Sequence, residues 1–160
     1  MTIVSLTTDL PLSAARVREL AAVPEVMQFV LAPVLSFSME QAPPPDAAVT
    51  PGFRARGRVR WLGVIPSWTH QIEIVRLDDL EIYTRERGGP VHVWNHRLTF
   101  EPTSATTCRY TDEVEVESGA RGLVAATFVR LMFRHRHRRW RLLVSVLAAE
   151  RDRTGAGRPG

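Results

Sequence analysis

Lysine is missing from this sequence, and all 21 basic residues are arginine. Without lysine there is no Schiff-base nucleophile and no phosphate-loop lysine. Cysteine is nearly missing as well. Cys108 stands alone, which rules out an internal disulfide and fits a reducing, cytoplasmic setting. No apolar run is long enough to cross a bilayer, so no membrane span is expected. The first residues include Asp9 and Pro11 and lack a basic-then-apolar pattern, so no signal peptide is expected. No Gly-x-Ser-x-Gly elbow occurs. Cys108 has no histidine near it in sequence and reads as a small core residue rather than a nucleophile.

Glycine and proline are also absent from residues 123–149. Strong helix formers fill that stretch, so one long helix is predicted from about Gly119 to Glu150. At 100° per residue Arg130, Arg134, Arg138 and Arg141 fall on one side. Val124, Phe128, Met132, Leu142, Leu143 and Val146 fall on the other. So wide an apolar arc needs a large apolar surface to lie across, and the strand-like segments before it supply one.

The 160 residues suit one domain with a substantial core. That domain is expected over residues 1–150, with a polar, glycine-rich, disordered tail over residues 151–160. Residues 2–9 alternate weakly and read as a first strand. Ser13 is a suitable N-cap for a short helix carrying Val17, Leu20 and Ala21. Pro24 suits the first turn of a second short helix ending near Leu31. Residues 34–39 form a plausible strand. Pro43, Pro44 and Pro45 then exclude a sheet and mark a loop.

Residues 53–61 give the clearest strand signal. Phe53, Ala55, Gly57, Val59 and Trp61 alternate with Arg54, Arg56, Arg58 and Arg60, so the two sets take opposite faces. Gly63 and Pro66 mark a turn, and residues 68–77 and 80–87 read as strands joined at Asp78–Asp79. Strands at 91–100 and 107–117 follow, linked by residues 102–106. The arginine ladder is expected to meet Glu73, Glu81 and Glu86 or to stand in solvent. The fold class is α+β: an antiparallel sheet of six to seven strands, two short helices after the first strand, and one long C-terminal helix.

Gly89-Pro90, Trp94, His96 and Phe100, followed by Asp112 and Val114, resemble the SRPBCC superfamily. These are helix-grip proteins related to START lipid-binding domains, pollen-allergen-like proteins and polyketide cyclase/dehydrases. The order of elements is similar over nearly the whole chain. One departure is Leu98, where the common form has a second histidine. The resemblance implies a curved sheet wrapped around the long helix, with a cavity for an apolar or amphipathic molecule between them. In some relatives that cavity carries out cyclisation or dehydration.

Pairing Phe100 with Cys108 sets Leu98 opposite Tyr110, His96 opposite Asp112 and Trp94 opposite Val114. His96 and Asp112 would then be an acid/base pair or ligand anchor, or else a buried clamp on strand register. His135, on the apolar arc of the long helix, is a further catalytic or ligand-binding candidate if it faces the sheet. Trp61, Trp94, Leu98, Tyr110, Phe128 and Met132 are the expected apolar and aromatic lining. His92 and His96 sit about 13 Å apart along one strand, and His135 and His137 point about 200° apart on the helix, so no metal site is expected. No cofactor is expected either.

The run Arg134-His-Arg-His-Arg-Arg-Trp-Arg141 invites a nucleic-acid reading. On a helix it spreads around most of the circumference, so nucleic acid is not the favoured partner. Arg136 and Arg139 are expected to pair with acids such as Asp112, Glu113 or Glu115. Three functions stay open: a carrier of a small hydrophobic molecule, which is favoured; a cyclase or dehydratase using His96 and Asp112; and an interaction protein using its arginine-rich face. The sequence leaves the oligomeric state open, a homodimer included.

Overall fold

The computed structural model describes residues 1–40, 50–89, 94–117 and 120–156. The prolines at 43–45, Pro90 and His92, and the end of the chain beyond 156 lie outside the described residues. Strand β1 (Thr2–Leu10) leads to helices α1 (Ala14–Ala21) and α2 (Pro24–Leu31). Six strands follow: β2 (Leu35–Met39), β3 (Arg54–Trp61), β4 (Ile65–Leu77), β5 (Glu81–Arg87), β6 (Trp94–Pro102) and β7 (Cys108–Val116). Helix α3 (Ala120–Ala156) closes the chain.

All seven strands form one antiparallel sheet in the order β1-β7-β6-β5-β4-β3-β2. The two short helices therefore carry the chain from one sheet edge to the other. Ser13 caps α1 by accepting from the Arg16 amide, and Pro24 opens α2. Helix α3 packs against β1, β7 and α2. The fold is a helix grip, one antiparallel sheet set against a long C-terminal helix.

Helix α3 is continuous past Arg136 and extends to Ala156, beyond the end expected near Glu150. Its buried face differs from the predicted arc. Ala125, Ala126, Val129, Met132, Phe133, His137, Trp140 and Val144 are buried, whereas Val124, Leu142 and Val146 are 71%, 51% and 48% exposed. The true face is rotated by about 100° from the expected one. Hydrophobicity misled here because the buried stripe runs through two alanines, Arg136 and His137.

Strand β4 begins at Ile65, so Pro66 lies within a strand rather than in the turn. It sits where the β3–β4 register slips between Val59 and Arg60, and a bulge is where a residue without an N–H is tolerated. The arginine ladder faces outward. Arg54 pairs with Glu73 at 3.0 Å, while Arg56 and Arg58 both reach Glu40 at 3.2 Å. Glu81 instead meets Arg76 and Arg97, and Glu86 faces inward. Glu81 and Glu86 are an odd number of residues apart on one strand, so they take opposite faces.

The β6–β7 register is two residues from the expected one. Phe100 pairs with Tyr110, Leu98 with Asp112, His96 with Val114 and Trp94 with Val116. Thr107 is the reason. Its carbonyl accepts from the Thr103 and Ser104 amides at 3.1 and 3.2 Å, which holds it in the turn and starts β7 at Cys108. A slip of two keeps every side chain on its face. His96 and Asp112 thus still share the concave face, now as diagonal neighbours.

Candidate functional site

Between α3, α2 and the concave face of the sheet lies a cavity of about 760 Å³. Met27 and Leu31 of α2 and Phe128, Val129, Met132 and Phe133 of α3 line it, together with inward residues of the strands. Trp61, Trp94, His96, Phe128 and Met132, expected from the sequence, are all on its wall. The Trp61 and Phe128 rings lie 5.1 Å apart and bridge strand β3 to α3.

Leu98 and Tyr110 are not on that wall. They sit further along the strands in the apolar cluster around Phe100, Val17 and Trp140. Asp112 is fully buried behind the wall and reaches the cavity only through its partners. His135 does not face the cavity either. Its Nε2–H donates to the Ala32 carbonyl at 2.8 Å, at the C-terminal end of α2. Arg139 meets Phe29 rather than an acid, donating from Nε to the carbonyl at 3.2 Å. Trp140 is buried against Tyr110, with ring centroids 5.6 Å apart, so it is not placed to stack on a base.

The polar side of the cavity is larger than the sequence suggested. His96 Nε2–H donates to Asp112 Oδ1, and its Nδ1 faces Glu86 Oε1 at 3.5 Å. Thr84 Oγ1–H donates to Glu86 Oε1 at 2.7 Å. His70 Nε2 meets Glu86 Oε2 at 2.7 Å, and Trp68 Nε1–H donates to His70 Nδ1 at 3.3 Å. An indole N–H is only a donor, so His70 Nδ1 accepts and its proton sits on Nε2, donating to Glu86. Behind the wall Tyr110 O–H donates to Asp112 Oδ2 at 3.0 Å, Arg136 Nε lies 3.3 Å from the same oxygen and His137 Nε2 lies 3.7 Å from it.

The expected pairing of Arg136 with Asp112 is present, whereas Glu86, His70 and His137 were missed in this role, yet each had a signal. Period two puts Glu86 on the face of Ile82, and His70 on that of Trp68 and Ile72. Helical spacing puts His137 with Phe133, Trp140 and Val144.

The charges follow from this geometry. Burial alone would lower the His96 pKa, but the Asp112 and Glu86 carboxylates overcome it and hold it up at about 9. Burial would raise Glu86 and Asp112. For Glu86, hydrogen bonds from His70 and His96 and the His96 charge hold the carboxyl well below the usual range. For Asp112, the Arg136 and His96 charges and the hydrogen bond from His96 do the same. At neutral pH His96 is therefore an imidazolium between two carboxylates, and its ring stacks on Phe133 with centroids 6.0 Å apart. Cys108 is buried outside the cavity wall, and burial with the Asp9 charge pushes its thiol up to about 11. Among the described residues no cluster of His, Cys, Asp and Glu has the makings of a metal site. No described helix is long and apolar enough to cross a membrane.

Several solved structures share this architecture. A START superfamily protein from Mycobacterium smegmatis superposes with a TM-score of 0.69 at 16% identity, covering 91% of this chain and 98% of that one. Protein CV1439 from Chromobacterium violaceum gives 0.71 at 15% identity over 90% and 98%. A protein from Arthrobacter aurescens gives 0.73 at 13% identity over 89% and 86%. No curated protein sequence matches the chain. The family model described as "Domain of unknown function (DUF8410)" matches residues 8–143, and the chain belongs to that family.

Proposed function

We propose that the protein binds and carries a small hydrophobic or amphipathic molecule in the cavity between α3 and the sheet. The carrying observation is the cavity itself. At about 760 Å³ it lies within the size range of small-molecule sites, about 300–1,000 Å³. Its wall is apolar and aromatic apart from Ser36 and one polar cluster, the usual division between affinity and orientation.

Binding is favoured over cyclase or dehydratase chemistry by the state of His96. A general base needs a free lone pair near the operating pH. Here both ring nitrogens face carboxylates and the ring is charged at neutral pH. The pair of His96 and Asp112 therefore reads as a clamp that orients other groups.

Native mass spectrometry of the purified protein tests this reading. The expected result is a mass adduct that organic solvent releases as a lipid or polyketide-like molecule. Chemical conversion of that molecule on incubation with the protein would reverse the preference and favour an enzyme.

A further inference from the structure

Arg136 projects from α3 into the cavity wall with a side chain only 12% exposed. A guanidinium has five N–H donors in a planar fork. Asp112 is its ion-pair partner at 3.3 Å, and Tyr110 and Glu86 act on it electrostatically. The contact with Asp112 is an ion pair without hydrogen-bond geometry, and Nε is left with no bonded acceptor. Beyond these contacts no described residue is hydrogen-bonded to the guanidinium, and the side chain lines the cavity.

The neighbouring polar groups are already used. Both Glu86 oxygens accept from side chains, and both His96 nitrogens face carboxylates. His70 is held between Trp68 and Glu86. His137 lies beyond Asp112 and is not part of the wall. Among the ionisable side chains of the wall, Arg136 offers unused donors, so the complementary ligand atom is an acceptor.

Charge decides which acceptor. Arg136 already faces the ionised Asp112, and His96 faces Asp112 and Glu86. A ligand carboxylate would enter an apolar cavity as an extra anion, close to Glu86 and with no unneutralised cation to receive it. Burying such a charge is far more costly than burying a hydrogen-bonded neutral group.

We infer that the cavity takes a ligand with an apolar body and a neutral oxygen acceptor, a carbonyl or hydroxyl that receives the Arg136 guanidinium, in preference to a carboxylate. The inference rests on the binding reading above and adds the chemistry of the ligand's polar end.

Three probes of nearly equal shape separate the possibilities: 2-ethylnaphthalene, 2-acetylnaphthalene and 2-naphthoate. Each competes at pH 7 with the neutral dye N-phenyl-1-naphthylamine. The ketone is expected to bind about tenfold or more tightly than the ethyl compound, as a hydrogen bond to a charged donor gives. The carboxylate is expected to bind more weakly than the ketone. In Arg136→Met the ketone should lose its advantage over the ethyl compound. The carbonyl infrared band of bound 2-acetylnaphthalene gives a second readout on the unaltered protein, independent of whether that variant folds. It should move to lower frequency than in hexane.

Equal affinity of ketone and ethyl compound, tighter binding of the carboxylate, or an unshifted band would overturn the inference and leave the binding reading standing. Failure of the dye and of all three probes to bind would overturn both.

Discussion

His96 holds a proton in the folded protein that it would release in the unfolded chain. Its pKa is raised from an ordinary 6.5 to about 9. A raised cationic group stabilises fully below its unfolded value and loses that contribution as pH rises through the folded one. Glu86 and Asp112 have depressed values, so their contributions are present above the ordinary 4.5 and 3.8 and fall away as pH drops. Stability should therefore be greatest between about pH 4.5 and 6.5 and decline by roughly 3 kcal/mol toward pH 9. Urea midpoints across that range measure it, and His96→Gln should flatten the alkaline slope. A midpoint indifferent to pH between 6.5 and 9 would contradict the assigned charge. Asp112→Asn should be a harsh substitution. It removes the carboxylate between His96 and Arg136, so the expected loss is about 3–5 kcal/mol, the cost of stripping one partner from a buried pair. A loss under ~1 kcal/mol would mean that the site relaxes to admit water.

Helix α2 is the element whose placement depends most on borrowed side chains. It has no basic residue in its last turn, and a helix C-terminus leaves carbonyls unpaired with partial negative charge. Helix α3 supplies the donors. His135 bonds the Ala32 carbonyl, and Arg139 bonds that of Phe29 while its guanidinium lies 3.8 Å from the Phe29 ring centroid. Through Met27 and Leu31 the same helix walls the cavity. Replacing both His135 and Arg139 by alanine should cost about 1–3 kcal/mol. Hydrogen exchange should speed up in α2 while β6 and β7 keep their protection. Uniform acceleration in all elements would mean that α2 and the sheet open as one unit.

For the molecule as a whole, the cavity between sheet and helix is the feature that a change of side-chain volume tests. Phe128 closes against Trp61 across the cavity, so Phe128→Trp fills space without adding charge. Dye binding should weaken by about tenfold, equivalent to ~1.4 kcal/mol, while the fold persists. Unchanged affinity would place the dye elsewhere. The outer surface is organised differently. Arg54, Arg56 and Arg58 on β3 are matched by Glu73 and Glu40, whereas Arg130, Arg134, Arg138 and Arg141 on α3 stand exposed.

The sequence by itself determined the kinds of element, their order and most inward faces. Those depend on periods of 2 and 3.6 residues, which are local properties of the chain. Val59 and Trp61 facing away from the arginines, and His96 sharing a face with Asp112, were legible for that reason. Tertiary structure decided the rest. The β6–β7 register was set by hydrogen bonds in the turn through Thr107. The azimuth of α3 turns Arg136 and His137 inward toward Asp112, which hydrophobicity alone does not foretell. The meeting of His70, Glu86, His96 and Asp112 joins four strands. No local pattern encodes such a meeting, because it exists only once the strands have paired in register and the sheet has curved around the helix.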